Sequence, residues 1–249
     1  MSLYRCDLHL HSCLSPCGDA DMTPGNIVGM ALLNGLQIVA LTDHNSTKNC
    51  PAFFKIAKAN GIIPVAGMEL TTAEDVHAVC LFRDLESAMA FGEFVDARCF
   101  KIENQPEIFG EQQITDENDE VIGQEPYLLL NASYLSLEEA YAEVISRGGV
   151  CYPAHIDRSS NGIIAMLGDF PPDPHFTAFE LNDIASLESC LDKYPVLRER
   201  GLTYVASSDA HYLTDIAEEG FAVEIDDEPY SSQRVRDALI DYLLGKKEE

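Results

Sequence analysis

Positive charge is scarce in this chain: 16 lysines and arginines stand against 42 aspartates and glutamates, a formal net charge of −26 at pH 7. So acidic a molecule repels polyanions, which argues against a long nucleic-acid duplex gripped by a basic track. A small anion drawn to bound cations stays compatible with it, because metal ions can reverse the local field. Long apolar runs are missing too. None approaches the roughly 20 residues that a bilayer-spanning helix needs. The opening Met1-Ser2-Leu3 leads into core-like sequence without a secretory pattern. The expectation is a cytoplasmic protein with no membrane segment. Eight cysteines are scattered through 249 residues without forming a disulfide framework. Cys6, Cys80 and Cys151 lie in apolar runs, where a free thiol behaves as a small hydrophobe. Cys13 and Cys17 could share a metal, but no second pair completes a four-thiolate site.

What is present is an ordinary globular composition, 46% hydrophobic and 23% charged, at a length that suits one α/β domain. Seven short apolar or β-branched runs recur, at 3–10, 36–41, 62–66, 76–82, 149–154, 176–181 and 202–206. Helix-like stretches lie between most of them, at 24–34, 50–60, 86–98, 136–147, 185–193 and 232–244. Asn34-Gly35 and Asn60-Gly61 supply helix stops, and Thr23-Pro24 reads as a cap followed by proline in the first turn. This alternation predicts a parallel sheet, closed into a barrel or open and doubly wound. Residues 100–130 break the pattern. They are polar, carry Asp116-Glu117-Asn118-Asp119-Glu120, and predict two extended pieces around an acidic turn, a hairpin inserted in a domain spanning 1–249. A solvated surface excursion is the simpler reading of that insertion, a lid over substrate the bolder one.

Chemistry concentrates in the histidines. Of seven, six fall at or beside predicted strands: His9 and His11 in DLHLHS, His44 in LTDHN, His77 in DVHAV, His155 in PAHID and His211 in SSDAH. Residues two apart on a strand share a face, so His9 and His11 offer two imidazoles side by side. Asp19, Glu69 and Asp209 add carboxylates in the same neighbourhoods. Imidazole with carboxylate suits Zn, Mn or Fe. Any one of these could be a core histidine or an incidental pair. Five separate runs deliver a histidine, four of them at or just past the C-terminal end, where loops of parallel α/β folds converge, and a sixth delivers Glu69; this common placement points instead to a multinuclear metal site.

The ordered set DLHLHS, LTDHN, GME, a following His, AHID and SDAH resembles the PHP (polymerase and histidinol phosphatase) family, from Asp7 to His211. The resemblance implies a distorted (β/α)7 barrel with up to three divalent ions (Mn, Fe or Zn) at the C-terminal ends of its strands. It also implies the ligand sets. His9, His11, Glu69 and Asp209 would hold the first ion; Glu69, bridging, with His77 and His155 the second; Asp19, His44 and His211 the third. The reaction implied is phosphoester hydrolysis by a hydroxide bridging two metals, with Glu69, His155 and Asp209 as the residues on which turnover depends.

A small phosphomonoester, a nucleotide or an amino-alcohol phosphate, is the expected substrate. A nuclease acting on short oligonucleotides ranks second because of the acidic charge. A C–N hydrolase of the amidohydrolase kind ranks third, since three metals exceed what hydrolysis at carbon requires, and a non-catalytic metal-binding module last. Arg158, three residues past His155 in a chain short of cations, is the candidate phosphate-binding guanidinium, and His175 a candidate substrate contact. Asp7 and Asp43 could orient ligating imidazoles. Ser12, Asn45, Asn182 and Ser208 are either substrate contacts or turn residues.

Overall fold

The computed structural model describes residues 1–218 and 220–246. Its strands are β1 Ser2–Asp7, β2 Ile38–Leu41, β3 Ile63–Thr71, β4 His77–Phe82, β5 Gln113–Thr115, β6 Val121–Gln124, β7 Val150–Pro153, β8 Ala178–Leu181, β9 Thr203–Ala206 and β10 Phe221–Ile225. Six pair in the order β10-β1-β2-β3-β4-β7, while β8 and β9 form a parallel pair of their own. That pair lies between the edges of the larger sheet. Ile156 N, just past β7, donates to Glu180 O of β8 at 2.9 Å, and a parallel bridge joins Leu10 to Ala210 beyond β1 and β9. The sheet is therefore curled, with helices outside.

Two features depart from the parallel alternation read from the sequence. β4 runs antiparallel to both β3 and β7, and β10 runs antiparallel to β1. A parallel partner needs a crossover of a dozen or more residues, whereas a short turn can only return the chain antiparallel. β3 continues to Thr71 instead of stopping at Ala66, so only a turn remains before β4, held by Thr72 N donating to Val76 O. β1 ends earlier than expected, at Asp7, and His9 and His11 follow it in irregular but fully buried backbone.

The helices begin where their caps dictate. Thr23 Oγ1 accepts from Asn26 N ahead of Pro24–Leu33, and Asp84 accepts from Ser87 N ahead of Leu85–Asp96. Ser136 and Glu139 form a reciprocal capping box at Leu137–Ser146, satisfying two amides that would otherwise lack partners. Side chains alternate across the strands. Val39, Leu41, Ala66 and Met68 face outward toward the helices, while Ile38, Ala40, Ile63, Val65, Val79, Leu81 and Val150 line the inside. The interior is closed at the N-terminal ends of the strands by helix Ser232–Leu243, whose Val235, Leu239, Ile240 and Leu243 complete an apolar plug.

Residues 100–130 contain a four-residue helix, Pro106–Phe109, and the antiparallel pair β5–β6 around the Asp116–Glu120 turn. The insertion does not hang free. Gln113 N donates to Cys13 O, Asp119 accepts from Gly25 N, and Asn49 bonds both Thr115 N and Gln113 O. It rests on the loop that follows His11. No helix among the described residues is long and apolar enough to cross a membrane.

Candidate metal centre

Opposite the apolar plug, the inward faces of the same strands change character. Period-two alternation carries Glu69 onto the face of Ile63 and Val65, His77 onto that of Val79 and Leu81, and Glu180 onto that of Ala178. His9, His11, His44, His155 and Asp209 join them from the strand ends, all buried. Glu69 is the hub. Its Oε1 lies 2.8 Å from His77 Nδ1, 3.0 Å from His155 Nε2 and 3.4 Å from His9 Nε2. Its Oε2 lies 3.0 Å from His44 Nδ1 and 3.3 Å from His11 Nε2. Asp209 Oδ1 closes the ring, 3.0 Å from His11 Nε2 and 3.4 Å from His9 Nε2.

Three groups of donors could each surround one cation: His9, His11, Glu69 and Asp209; His44, Glu69 and His77; and His11, His44 and His211. Hydrogen bonds account for the contacts of Glu69 Oε1 with His77 and His155, but not for its other oxygen. His44 Nδ1 and Glu69 Oε2 stand 3.0 Å apart, yet both are buried and neither has a hydrogen-bond partner among the described residues. Buried polar atoms are seldom left so. A cation between them would satisfy both atoms at once.

The tautomers are set from behind. His9 Nδ1 lies 2.9 Å from Glu180 Oε1, which can only accept, so the ring proton sits there and Nε2 faces the cluster. Ser15 Oγ donates to Asp43 Oδ1 at 2.7 Å and so accepts from His11 Nδ1 at 3.0 Å, turning that Nε2 inward as well. His211 Nδ1 donates to Asp209 O at 2.8 Å. Asp43 thus orients an imidazole through an intervening hydroxyl. Asp7 touches no ring; it accepts from Ser208 N and Ala217 N and anchors the segment that carries Asp209.

Three of the six non-glycine residues with positive φ, among the described residues, lie at the same place. Asn45, His155 and Asp209 have φ of 49°, 28° and 49°, a region that side-chain-bearing residues disfavour by about 1 kcal/mol or more. Each is held by specific bonds: Asn45 to the carbonyls of Leu129 and Asn131, His155 N to Glu180 Oε1, and Asp209 N to His9 O.

Electrostatics divide the imidazoles into two kinds. Burial pushes His44 down to about 3 and His211 down to about 4. Burial opposes protonation of His9 and His11 as well, but carboxylates prevail: Glu180, Asp209 and Glu69 raise His9 well above its ordinary value, and Asp209 with Glu69 lifts His11 to about 9. Burial alone would raise Glu69, yet His77, His9 and His44 hold its carboxyl well below the usual range. The cluster is a field that favours positive charge at its centre.

Other sequence candidates lie further out. Arg158 pairs with Asp209 Oδ2 and, through Nε, with Asn182 Oδ1 at 3.1 Å. It is the one cation, among the described residues, lining a cavity of about 110 Å³ over His44, His77, His155 and His211. Asp19 is not gathered with the other donors; its Oδ1 accepts from Asp21 N at 2.9 Å, closing its own turn. His175 precedes β8 at the opposite end of the strands, exposed, with Nδ1 3.1 Å from Pro172 O. Ser12, Asn45 and Ser208 are occupied in turn and loop bonds. Glu180 and Ser15 were not expected. A lone acid in the otherwise apolar, fully buried AFEL strand was the available signal for Glu180; nothing marked Ser15.

A family model described as the PHP domain matches residues 7–228. An uncharacterised protein of Methanocaldococcus jannaschii is 29% identical over 101 residues, covering 37% of this chain and 59% of that protein. Among solved structures, the lesion-specific endonuclease Q of Pyrococcus furiosus superimposes with a TM-score of 0.63 at 19% identity, over 97% of this chain and 56% of its own. An endonuclease Q has also been solved with a 27-mer duplex substrate carrying an abasic lesion. A chain assigned as a metal-dependent phosphoesterase from Bifidobacterium adolescentis superimposes with a TM-score of 0.57 at 20% identity, over 83% of this chain and 87% of its own. This chain thus spans less than two thirds of the Methanocaldococcus protein and of endonuclease Q.

Proposed function

Because the chain belongs to the PHP domain family, we propose that it is a metal-dependent phosphoesterase that hydrolyses a small phosphomonoester. The observation that carries this reading is the convergence on Glu69 of five imidazoles, from His9, His11, His44, His77 and His155, with His44 Nδ1 and Glu69 Oε2 left unpartnered at 3.0 Å. On this reading β1 to β4 and β7 to β9 are the seven strands of the family's barrel, with residues 100–130 inserted into one domain. Up to three divalent ions (Mn, Fe or Zn) would be held there. His9, His11, Glu69 and Asp209 would hold one; Glu69 and His77, with His155 Nε2 at 3.0 Å from Glu69 Oε1, a second; His44 and His211 a third, with His11, whose ring stacks 4.3 Å from His211, beside them. Asp19 then serves the rim.

Divalent ions in such a site activate water and neutralise the charge of the transferring phosphoryl group. The chain's own part is to position and to exclude. Glu180 and Ser15 hold the outer Nδ1 protons of His9 and His11, so that Nε2 is the nitrogen each ring turns toward the ions. The strained backbone at His155 and Asp209 aims the first at Glu69 and the second at His9 and His11, and Arg158 offers a guanidinium to phosphate oxygens at the cavity rim. The small cavity and the charge of −26 favour a compact substrate.

A second reading, cleavage of a phosphodiester in nucleic acid, is favoured by the likeness to endonuclease Q. Metal-loaded protein should release phosphate from a panel of small phosphomonoesters and leave labelled oligonucleotides and duplexes intact. Cleavage of the duplex with no phosphate release would replace the first reading with the second.

A further inference from the structure

Two buried asparagines in the loop between β2 and helix Cys50–Ala59 tie the insertion to the donor cluster from inside the protein. Asn49 occupies the position before the helix, where an asparagine side chain ordinarily caps the first amides, yet it makes no capping bond. Its amide is committed elsewhere. Oδ1 accepts from Thr115 N at 3.0 Å, and Nδ2 donates to Gln113 O at 3.1 Å and to Ser12 Oγ at 2.9 Å. Ser12 Oγ donates to Asp43 Oδ2 at 2.7 Å, and Ser15 Oγ donates to Asp43 Oδ1 at the same distance. Ser15 Oγ then accepts from His11 Nδ1 at 3.0 Å and from His44 N at 3.1 Å.

The direction of every bond in this line is fixed. An ionised carboxylate only accepts, so both serines must donate to Asp43, which leaves Ser12 to accept from Asn49 and Ser15 to accept from His11. Asn49, Ser12, Asp43 and Ser15 are each at most 1% exposed, so water cannot substitute for a missing member. Asn45 makes a second tie. Its Nδ2 donates to Leu129 O at 2.7 Å and to Asn131 O at 2.9 Å, where the insertion ends. Its Oδ1 accepts from Thr71 N and its own N donates to Glu69 O, both at 2.9 Å, so the residue after His44 is bonded to the strand that carries the hub carboxylate.

We propose that residues 100–130 brace the metal centre. Asn49 and Asn45 are positioning residues: they set the His11 ring and the His44 backbone for the ion that His11, His44 and His211 would surround. This rests on the cluster being a metal centre. A segment fastened by buried bonds both at its strands and at its exit is unsuited to opening and closing over substrate.

The test titrates metal-free full chain with zinc against a chromogenic chelator, which yields stepwise affinities. Asn49→Ala and Ser12→Ala should each weaken at least one zinc step by about tenfold, and the two together should lose no more than the worse single change, because both cut one line. Asn45→Gly keeps the left-handed backbone while removing the side-chain bonds. It should cost a similar factor and multiply with Asn49→Ala. Leu239→Ala, a destabilising change in the apolar plug, controls for lost stability and should bind zinc as the parent does. With cobalt(II) in place of zinc, the visible spectrum should shift in Asn49→Ala and not in Leu239→Ala. Unchanged zinc affinity in both Asn49→Ala and Asn45→Gly, or a loss that Leu239→Ala reproduces, overturns the brace. Should Asn49→Ala not fold, Ser12→Ala and Asn45→Gly decide by the same criterion. Phosphate release by the parent is scored separately: if it hydrolyses no phosphomonoester while the affinity pattern holds, the brace stands and the hydrolytic reading falls.

Discussion

The two ends of the curled sheet are both largely buried and chemically opposite. At the N-terminal ends of the strands, Ile38, Ile63, Val65 and Leu81 meet Val235, Leu239, Ile240 and Leu243 in an apolar plug. At the other end the same inward rows continue as Glu69, His77 and Glu180, and His9, His11 and His155 complete a buried polar knot. Apolar burial contributes roughly 25 cal/mol per Å², so the plug stabilises the fold. Burying imidazoles and carboxylates costs free energy unless they are paired or bind ions. The strained φ values at Asn45, His155 and Asp209 lie at the polar end. One end fills the curled sheet with apolar packing, and the other holds donors in an arrangement that the chain alone would not favour.

That contrast can be broken most sharply with a pair of substitutions. Glu69→Ala should remove the hub of five imidazoles, lowering bound metal and phosphate release by at least about a hundredfold, while melting at or near the parent temperature. Leu239→Ala should do the reverse, costing about 2 to 5 kcal/mol of stability with metal stoichiometry retained. Metal analysis and chemical denaturation of both variants decide it. Should Glu69→Ala unfold the protein and Leu239→Ala leave its stability intact, the division between the ends is wrong.

A narrower effect is expected from Glu180→Gln. The amide keeps the shape and can still accept from His9 Nδ1, but loses the charge behind it. Metal affinity should fall by about 10- to 100-fold, read by competition with a chromogenic chelator, and the fold should be unaffected.

The smallest effect is a pH dependence. His11 is lifted to about 9 in the metal-free protein, above its ordinary 6.5, so its protonated form adds stability that is full below pH 6.5 and is lost as pH rises through about 9. A cation must displace that proton. Metal binding should therefore release protons and tighten by up to about tenfold per pH unit between 7 and 9, as calorimetry in buffers of different ionisation heat would record. Binding that is independent of pH would show that His11 is not a ligand.

Much of this was legible beforehand. Thr23-Pro24 and Asn34-Gly35 bracketed a helix correctly because caps act through neighbouring residues. The histidine clusters were visible because each stands beside an apolar run, and the acidic stretch 116–120 does turn β5 into β6. The antiparallel course of β4 was legible only in hindsight, since it required knowing that β3 reaches Thr71. Glu180 carried only a faint signal because the ring it acts on, that of His9, is 171 residues away, whereas Ser15 lies four residues past His11 and is an ordinary loop serine until the fold turns its hydroxyl onto the ring.

Alone, then, the order of residues determined which side chains could ligate a cation and that they would stand near strand ends, because periodicity and capping are local properties. Only the tertiary arrangement decided which donors come within reach of a common point, why His11 and not Asp19 meets His44 and His211, and how the insertion comes to be bonded to the loops of His11 and His44. Those outcomes depend on distances across the sheet. They are set by how strands register and curl, and no stretch of sequence encodes them by itself.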